Sequence, residues 1–303
     1  MNATASGRPT TFEAYREAGK GFATQEGMAR GLAFRPRPSD VFIATYAKAG
    51  TTWMQQIVHG LRTGGAMDFG EITEVVPWIE LAADLGLDAE AEQAADPRAF
   101  KTHLDWHEVP KGGRYIAIIR HTYDVALSLY RFMDGWFFES GSIALEEFVR
   151  EEFLKRDSGE DYWHHVLSWW QQRERDDVLF LTYEEVKADL PGTVRQVAAF
   201  IGIAAEPSRL DIATRQASFD FMKLHAGQFD DNLVRRMRDA ACGLPMGGES
   251  NKVSSGASGR GRQELNDELR GLLDAAWLDV ITPATGLRSY EEMQAALAAG
   301  KTA

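Results

Sequence analysis

The run Val41-Phe42-Ile43-Ala44-Thr45-Tyr46-Ala47-Lys48-Ala49-Gly50-Thr51-Thr52-Trp53 changes character twice in thirteen residues. Val41–Tyr46 is a short apolar run and predicts a buried strand. From Trp53 the apolar residues recur every four positions, at Ile57 and Leu61, which predicts a helix. Between them lies a turn built on Gly50. A glycine-containing turn from strand to helix presents backbone N–H groups at the helix N-terminus, and that is an anion site. Lys48 adds a positive charge, and Thr51 and Thr52 add hydroxyl donors. The nucleotide triphosphatase loop is a different pattern, Gly-x-x-x-x-Gly-Lys-Ser/Thr, with its lysine after the glycine. Here the lysine comes first, and the full triphosphatase pattern occurs nowhere in the chain. On these residues alone, a plain strand–turn–helix joint with a solvated lysine stays open.

Further along the chain the same alternation repeats. Tyr115–Ile119 and Val178–Tyr183 read as buried strands, and Ala99–His103 as a weaker one. Val125, Leu129 and Phe132 mark a helix after the second of the main strands. Leu265, Leu269, Leu272 and Ala276 mark a late helix. Strands alternating with helices predict an α/β fold of three layers, a mainly parallel sheet covered by helices on both faces. The 303 residues show no repeat and no long linker, so 1–303 reads as a single domain with about ten N-terminal residues and the tail Ala296–Ala303 frayed. The exception to regular structure is Gly243–Gly261, where six of nineteen residues are glycine. It predicts either a disordered loop or one that covers a ligand.

Composition narrows the function class. Hydrophobic residues make up 44% and charged residues 26%, with a net charge of −12. That acidity argues against a partner such as nucleic acid or an anionic membrane, yet a few cations focused in one cleft still bind phosphate. No apolar run reaches the ~20 residues that span a bilayer, and Met1–Thr11 carries no apolar signal core. Cys242 is the sole cysteine, so no intramolecular disulfide forms; a reducing cytoplasm and a structural role for Cys242 are expected. No Cys-x-x-Cys or His-Glu-x-x-His pattern offers metal ligands, so no metal is expected.

Two more segments carry chemistry. Arg120 closes the strand Tyr115–Ile119 at the edge where α/β sheets bind ligands, and Ser128 follows one to two turns into the next helix. A guanidinium fork and a hydroxyl together grip a phosphate. Asp124 between them reads as a helix-start acid rather than a ligand. The third segment is Phe100-Lys101-Thr102-His103-Leu104. Its histidine competes as a general base with His107 and His121, while His59, His164, His165 and His225 read as surface or packing residues.

Tyr46-Ala47-Lys48-Ala49-Gly50-Thr51-Thr52-Trp53 resembles the 5′-phosphosulfate loop of the cytosolic sulfotransferases, usually Tyr-Pro-Lys-Ser-Gly-Thr-Thr-Trp. Arg120, Asp124 and Ser128 are in register with that family's 3′-phosphate motif, Arg-x-x-x-Asp-x-x-x-Ser. Lys101-Thr102-His103-Leu104 resembles its catalytic signature, which favours His103 over His107 as the base. Ala47 and Ala49 depart from the pattern, and the second change removes a hydroxyl donor.

The resemblance implies a P-loop-like sulfotransferase. It would use 3′-phosphoadenosine 5′-phosphosulfate (PAPS), yielding 3′-phosphoadenosine 5′-phosphate (PAP), and sulfate a hydroxyl or amine of a small acceptor. It implies His103 as base, with Lys48 and Lys101 at the leaving phosphate. Lys48, Ala49, Gly50, Thr51, Thr52 and Trp53 would hold the 5′ end, and Arg120 and Ser128 the 3′-phosphate. Tyr183, Ser218 and Phe219 would lie around the adenine, where aromatic faces stack on a base.

The family's Arg-Lys-Gly-x-x-Gly loop, which closes over the 3′-phosphate, corresponds to Ser254-Ser255-Gly256-Ala257-Ser258-Gly259. Ser254 and Ser255 replace its two cations, and Lys252, Arg260 and Arg262 flank the gap. The family's dimerisation signature is not recognisable, so a homodimer is unsupported. Trp78, Trp136, Phe137 and Phe138 are candidate walls for the acceptor, with Tyr15, Phe22 and Trp106 behind them; core packing is open for all seven. Such walls favour an aromatic or otherwise apolar acceptor. The rival readings are a P-loop kinase-like phosphotransferase and an inactive nucleotide-binding module.

Overall fold

The computed structural model describes residues 7–156, 159–246, 252 and 258–300. Two helices, α1 (Phe12–Gly19) and α2 (Gln25–Leu32), precede β1 (Val41–Thr45), α3 (Thr51–Thr63) and the one-turn α4 (Ile72–Val75). Next come β2 (Ala99–Thr102), β3 (Arg114–Ile119), α5 (Thr122–Met133), α6 (Leu145–Phe148) and α7 (Tyr162–Trp170). After β4 (Val178–Thr182) the described chain is helical: α8 (Tyr183–Ala188), α9 (Leu190–Ile201), α10 (Pro207–Gln216), α11 (Phe219–Leu224) and α12 (Asn232–Arg238). Three more close it: α13 (Arg260–Glu264), α14 (Asp267–Thr285) and α15 (Tyr290–Gly300).

The four strands form one all-parallel sheet in the order β2-β1-β3-β4. β1 sits in the middle, paired with β2 from Val41↔Ala99 and with β3 through Thr45↔Ile118. Every residue of β1 is buried, as expected for a strand covered on both faces. The period of two sorts the side chains. Phe42, Ala44, Phe100, Tyr115, Ala117 and Phe180 pack into an aromatic core on one face with residues of α5, α7 and α14. Val41, Ile43, Ala99, Ile116 and Leu181 pack on the other face with Met54, Ile57 and Leu61 of α3 and Val194 and Val197 of α9. This is the three-layer α/β arrangement the sequence predicts.

The chain leaves β1 for β2 on one side and then crosses to β3 on the other, so connections diverge at the C-terminal end of β1. A crevice opens where connections diverge in this way, and ligands bind there.

Several boundaries differ from expectation by one residue; β3 starts one residue early, at Arg114, and the others lie at this edge. Tyr46, His103 and Tyr183 lie just beyond β1, β2 and β4, because there the chain turns away to form loops or, at Tyr183, a helix. Leu265 lies outside α14, which Asn266 caps by accepting the Leu269 N–H. Ala296–Gly300, expected to fray, continue α15, with Leu297 buried. Cys242 is buried, and burial pushes its thiol up to about 11. Among the described residues, no helix is long and apolar enough to cross a membrane.

Candidate functional site

The turn after β1 is shaped by two residues in the left-handed region, Lys48 at φ 69° and Gly50 at φ 121°. A Cβ on Gly50 would lie 3.2 Å from the Tyr183 ring, so glycine suits both the angle and the space. For Lys48 the angle is a strain of order 1 kcal/mol, of the kind that persists where surrounding structure imposes it. Gly50 is the N-cap of α3 and has no side chain to offer; the first turn also lacks an acidic residue. The helix therefore presents uncapped N–H groups and the positive end of its dipole to the crevice. Below the turn, the Thr51 and Thr45 hydroxyls are 2.6 Å apart and tie the helix start to the strand end.

One cavity of about 840 Å³ spans this edge. Lys48, Gly50, Thr51, Thr52, Arg120 and Ser128 line one part of it, and Trp53, Tyr183, Ser218 and Phe219 a second. Lys101 and His103 line it too, with Trp78 against both, and so do Tyr15, Phe22, Phe132, Trp136 and Phe137.

His103 is fixed at three points. Its backbone N–H donates to Glu80 Oε1 at 2.7 Å, and Trp78 packs edge-on against its ring at 4.8 Å. Its Nδ1 lies 2.7 Å from the Thr45 carbonyl oxygen. A carbonyl only accepts, so Nδ1 carries the proton and Nε2 keeps its lone pair. Burial, then the Lys101 ammonium, push the imidazole down to about 3, so the ring is neutral at physiological pH.

The lysines rest over aromatic faces. Lys48 Nζ is 3.9 Å from the Phe132 ring centroid, and Lys101 Nζ 4.3 Å from that of Trp78. Burial, then Lys252, lower Lys48 to about 7, against the pull of Asp231. Burial and Lys252 lower Lys101 as well, and Asp231 opposes them again. The Arg120 guanidinium lies 4.2 Å over the Tyr183 ring, donates to the Lys48 carbonyl at 3.2 Å and stands 3.8 Å from Asp124 Oδ2.

Asp124 does more than start a helix. Its two oxygens accept the backbone N–H groups of Gly259 (2.7 Å) and Gly261 (2.8 Å), binding the end of the glycine-rich segment to α5. A Cβ on Gly261 would lie 2.3 Å from the Tyr123 carbonyl carbon, so this approach of backbone to backbone requires glycine. Ser254, Ser255 and Gly256 lie outside the described residues. Of the flanking cations, Arg262 pairs with Glu291 away from the cavity. Arg260 lines the cavity and pairs with Glu264; Lys252 also lines it and pairs with Asp231.

On the adenine-side residues, the Trp53 indole donates to the Ala217 carbonyl at 2.7 Å and tilts against Tyr183 at 5.2 Å, with one part of the ring left to the cavity. Ser218 spends its hydroxyl capping α11, so it faces the cavity as a helix cap, and Phe219 is 39% exposed.

Three expectations are corrected. Phe138 is fully buried among Tyr15, Tyr130 and Phe148 and does not reach the cavity. Trp106 packs on Tyr115 and Trp169. Ala49 is buried under the turn with its N–H bonded to the Tyr46 carbonyl, so neither its side chain nor its N–H serves a ligand. Of the competing histidines, His107 is exposed and His121 caps α5 beside Glu291; neither lines the cavity. Glu80 and Asp231, both buried against the centre, were missed. A single acid in sequence carries no mark of the lysine or backbone it will face.

A family model described as a sulfotransferase domain matches residues 38–280. Sulfotransferase 1B1 of Canis lupus familiaris is 34% identical over 205 residues, 63% of this chain and 68% of its own length. Sulfotransferase 1C2 of Homo sapiens is 31% identical over 218 residues, 66% and 71%. Among solved structures, mouse sulfotransferase SULT7A1 complexed with PAP superposes with a TM-score of 0.66 at 22% identity, covering 87% of this chain and 92% of that one. Retinol dehydratase in complex with androsterone and inactive cofactor PAP gives 0.65 at 21%, covering 91% and 88%. These two are likenesses of fold.

Proposed function

The chain belongs to the sulfotransferase family and is a PAPS-dependent transferase; from that premise we propose that it sulfates a hydroxyl or amine of a small aromatic or otherwise apolar acceptor, with His103 as general base. One observation carries the proposal. His103 Nε2, held as an acceptor by the Nδ1–Thr45 bond, shares a cavity with two buried-to-half-buried lysines and an uncapped helix N-terminus.

The residues suit the donor. An uncapped helix start, Lys48, Lys101 and Arg120 concentrate positive charge in one cleft of a protein whose net charge is −12. When bound, PAPS supplies an activated sulfuryl group with a bisphosphate nucleotide as the leaving group. The α3 N–H groups, Thr51, Thr52 and Lys48 would hold its 5′ end, and Arg120 and Ser128 its 3′-phosphate. Asp124 keeps Gly259 and Gly261 against α5, beside Arg120. Trp53, Tyr183 and Phe219 offer faces for the base.

At the centre, Nε2 takes the acceptor's proton. Lys48 and Lys101 meet charge growing on the departing phosphate oxygen, so that protein cations do the neutralising. Positioning and charge stabilisation dominate group transfers of this kind. Burial depresses the imidazole first and the Lys101 ammonium second, and an anion beside Lys101 counters the second effect.

The acceptor reading rests on Phe22, Trp78, Trp136 and Phe137, which line the cavity beyond His103. Rings on several sides favour a flat apolar body with one polar atom reaching Nε2. The deciding experiment is PAPS turnover with a panel of phenols, alcohols, amines and sugars. Turnover of phenols or apolar alcohols and amines, with sugars inert, supports the reading. No sulfated product from any class, or preference for sugars, overturns it.

A further inference from the structure

Asp231 stands at the N-cap position of α12, where an aspartate ordinarily accepts N–H groups of the first turn, yet its carboxylate makes no capping bond. It is buried, 3% exposed, and turned into the cavity wall. There its Oδ1 binds Lys252 Nζ directly and lies 4.0 Å from Lys101 Nζ. Asp231 and Lys101 are buried, and the Lys252 side chain is 9% exposed.

We propose that Asp231 is a positioning residue that holds Lys101 and Lys252 as a pair at the sulfuryl-transferring end of the cavity, so that this chain employs a third lysine there beside Lys48. The inference rests on reading the cavity as a sulfuryl-transfer site. It moves Lys252 from the 3′-phosphate, where the gap left by Ser254 and Ser255 would put a compensating cation, to the 5′ end. Arg260 begins α13 immediately after Gly259, which Asp124 holds beside Arg120, and so remains the cation nearer the 3′ end.

The physical need is plain. Three ammonium groups in one desolvated wall weaken one another's hold on their protons, and a shared carboxylate counters that. The surrounding charges do not replace it. Glu71 faces Lys101 but spends Oε1 on the Thr73 N–H and hydroxyl, and burial pushes its carboxyl upward. Glu80 faces Lys101 but holds the His103 N–H. Arg120 faces Lys48, Arg235 faces Asp231 from its own helix, and both are cations. His103 feels Lys101 and Lys252 together.

The test uses the full chain with PAP and adenosine 3′-phosphate in calorimetry, and kcat across pH with PAPS. Lys252→Gln should weaken PAP roughly tenfold, the loss of a charged hydrogen bond, and leave adenosine 3′-phosphate nearly unchanged. Asp231→Asn should keep PAP affinity, since it removes negative charge, but lower kcat roughly tenfold. It should also move the alkaline limb of the kcat profile to lower pH, because Lys101 then loses its proton more readily; a merely structural role would leave that limb in place. In the double variant the kcat loss should be smaller than the product of the two single losses. Equal losses of both nucleotides in Lys252→Gln, or none, overturn the proposal, as does an unmoved alkaline limb. If Asp231→Asn does not fold, the two-nucleotide comparison on Lys252→Gln still decides. Failure of the unmutated chain to bind PAP refutes the underlying reading and this inference with it. PAP binding with both variants silent refutes this inference alone.

Discussion

At the charged end of the cavity, Lys48, Gly50, Thr51 and Arg120 sit at the C-terminal ends of β1 and β3, with Ser128 within two turns of the following helix. At the aromatic end, Tyr15 comes from α1, Phe22 from the loop before α2, Trp78 from the loop before β2, and Trp136 and Phe137 from the turn after α5. The first end is made by backbone geometry, so its chemistry is confined to short contiguous segments. The second is made by tertiary packing of rings that any core would accept. A phosphate constrains sequence locally, whereas an apolar acceptor constrains only the summed shape of distant segments.

The largest test of this contrast is His103, where the two ends meet. His103→Ala should lower kcat by ~10²-fold or more while PAP affinity persists, read by steady-state kinetics and calorimetry. Near-normal turnover would remove the base from this position. Next is Arg120→Ala. It should weaken PAP by roughly ten- to a hundredfold and adenosine 5′-phosphate by far less, since the fork has a partner only when a 3′-phosphate is present. Equal losses would break the assignment of that end.

The aromatic end should respond differently in kind. Phe22→Ala should raise the acceptor KM several-fold, in line with ~1–2 kcal/mol for one half-buried ring, and leave PAP affinity alone. A loss of PAP affinity would mean that the two ends are not separable. The smallest effect is protonic. Burial lowers Lys48 to about 7, and bound anions favour its charged form. PAP binding at pH 8 should therefore take up ~1 proton, and affinity should fall as pH rises above 7. Calorimetry in buffers of different ionisation enthalpy measures this; zero uptake would place Lys48 away from the phosphate.

Legibility follows the same division. The strands were readable because β1 and β4 are buried on both faces and read as unbroken apolar runs. Their ends were overrun by one residue because Tyr46 and Tyr183 are apolar enough to extend the pattern, though the backbone has already turned. Lys48, Arg120 and Ser128, singled out by the family resemblance, line the cavity. Asp124 was placed but underrated, because its partners, Gly259 and Gly261, are 135 and 137 residues away. Phe138 looks in sequence like a third wall ring beside Trp136 and Phe137, yet the turn sends it into the core beside Phe148. Composition cannot tell adjacent rings apart when the backbone rotates between them.

Trp78 has a consequence for how such a chain diversifies. Its ring carries the Lys101 ammonium on one face and abuts the His103 imidazole, while also lining the aromatic end. A change there that admits a new acceptor disturbs the settings of Lys101 and His103 at the same stroke. Phe22 packs on Trp78 at 5.8 Å, whereas the ring partners of Phe137 are Tyr15, Phe22 and Trp136. Retargeting, in evolution or by design, therefore has a freer position at Phe137, one ring further out, and a costly one at Trp78 beside His103.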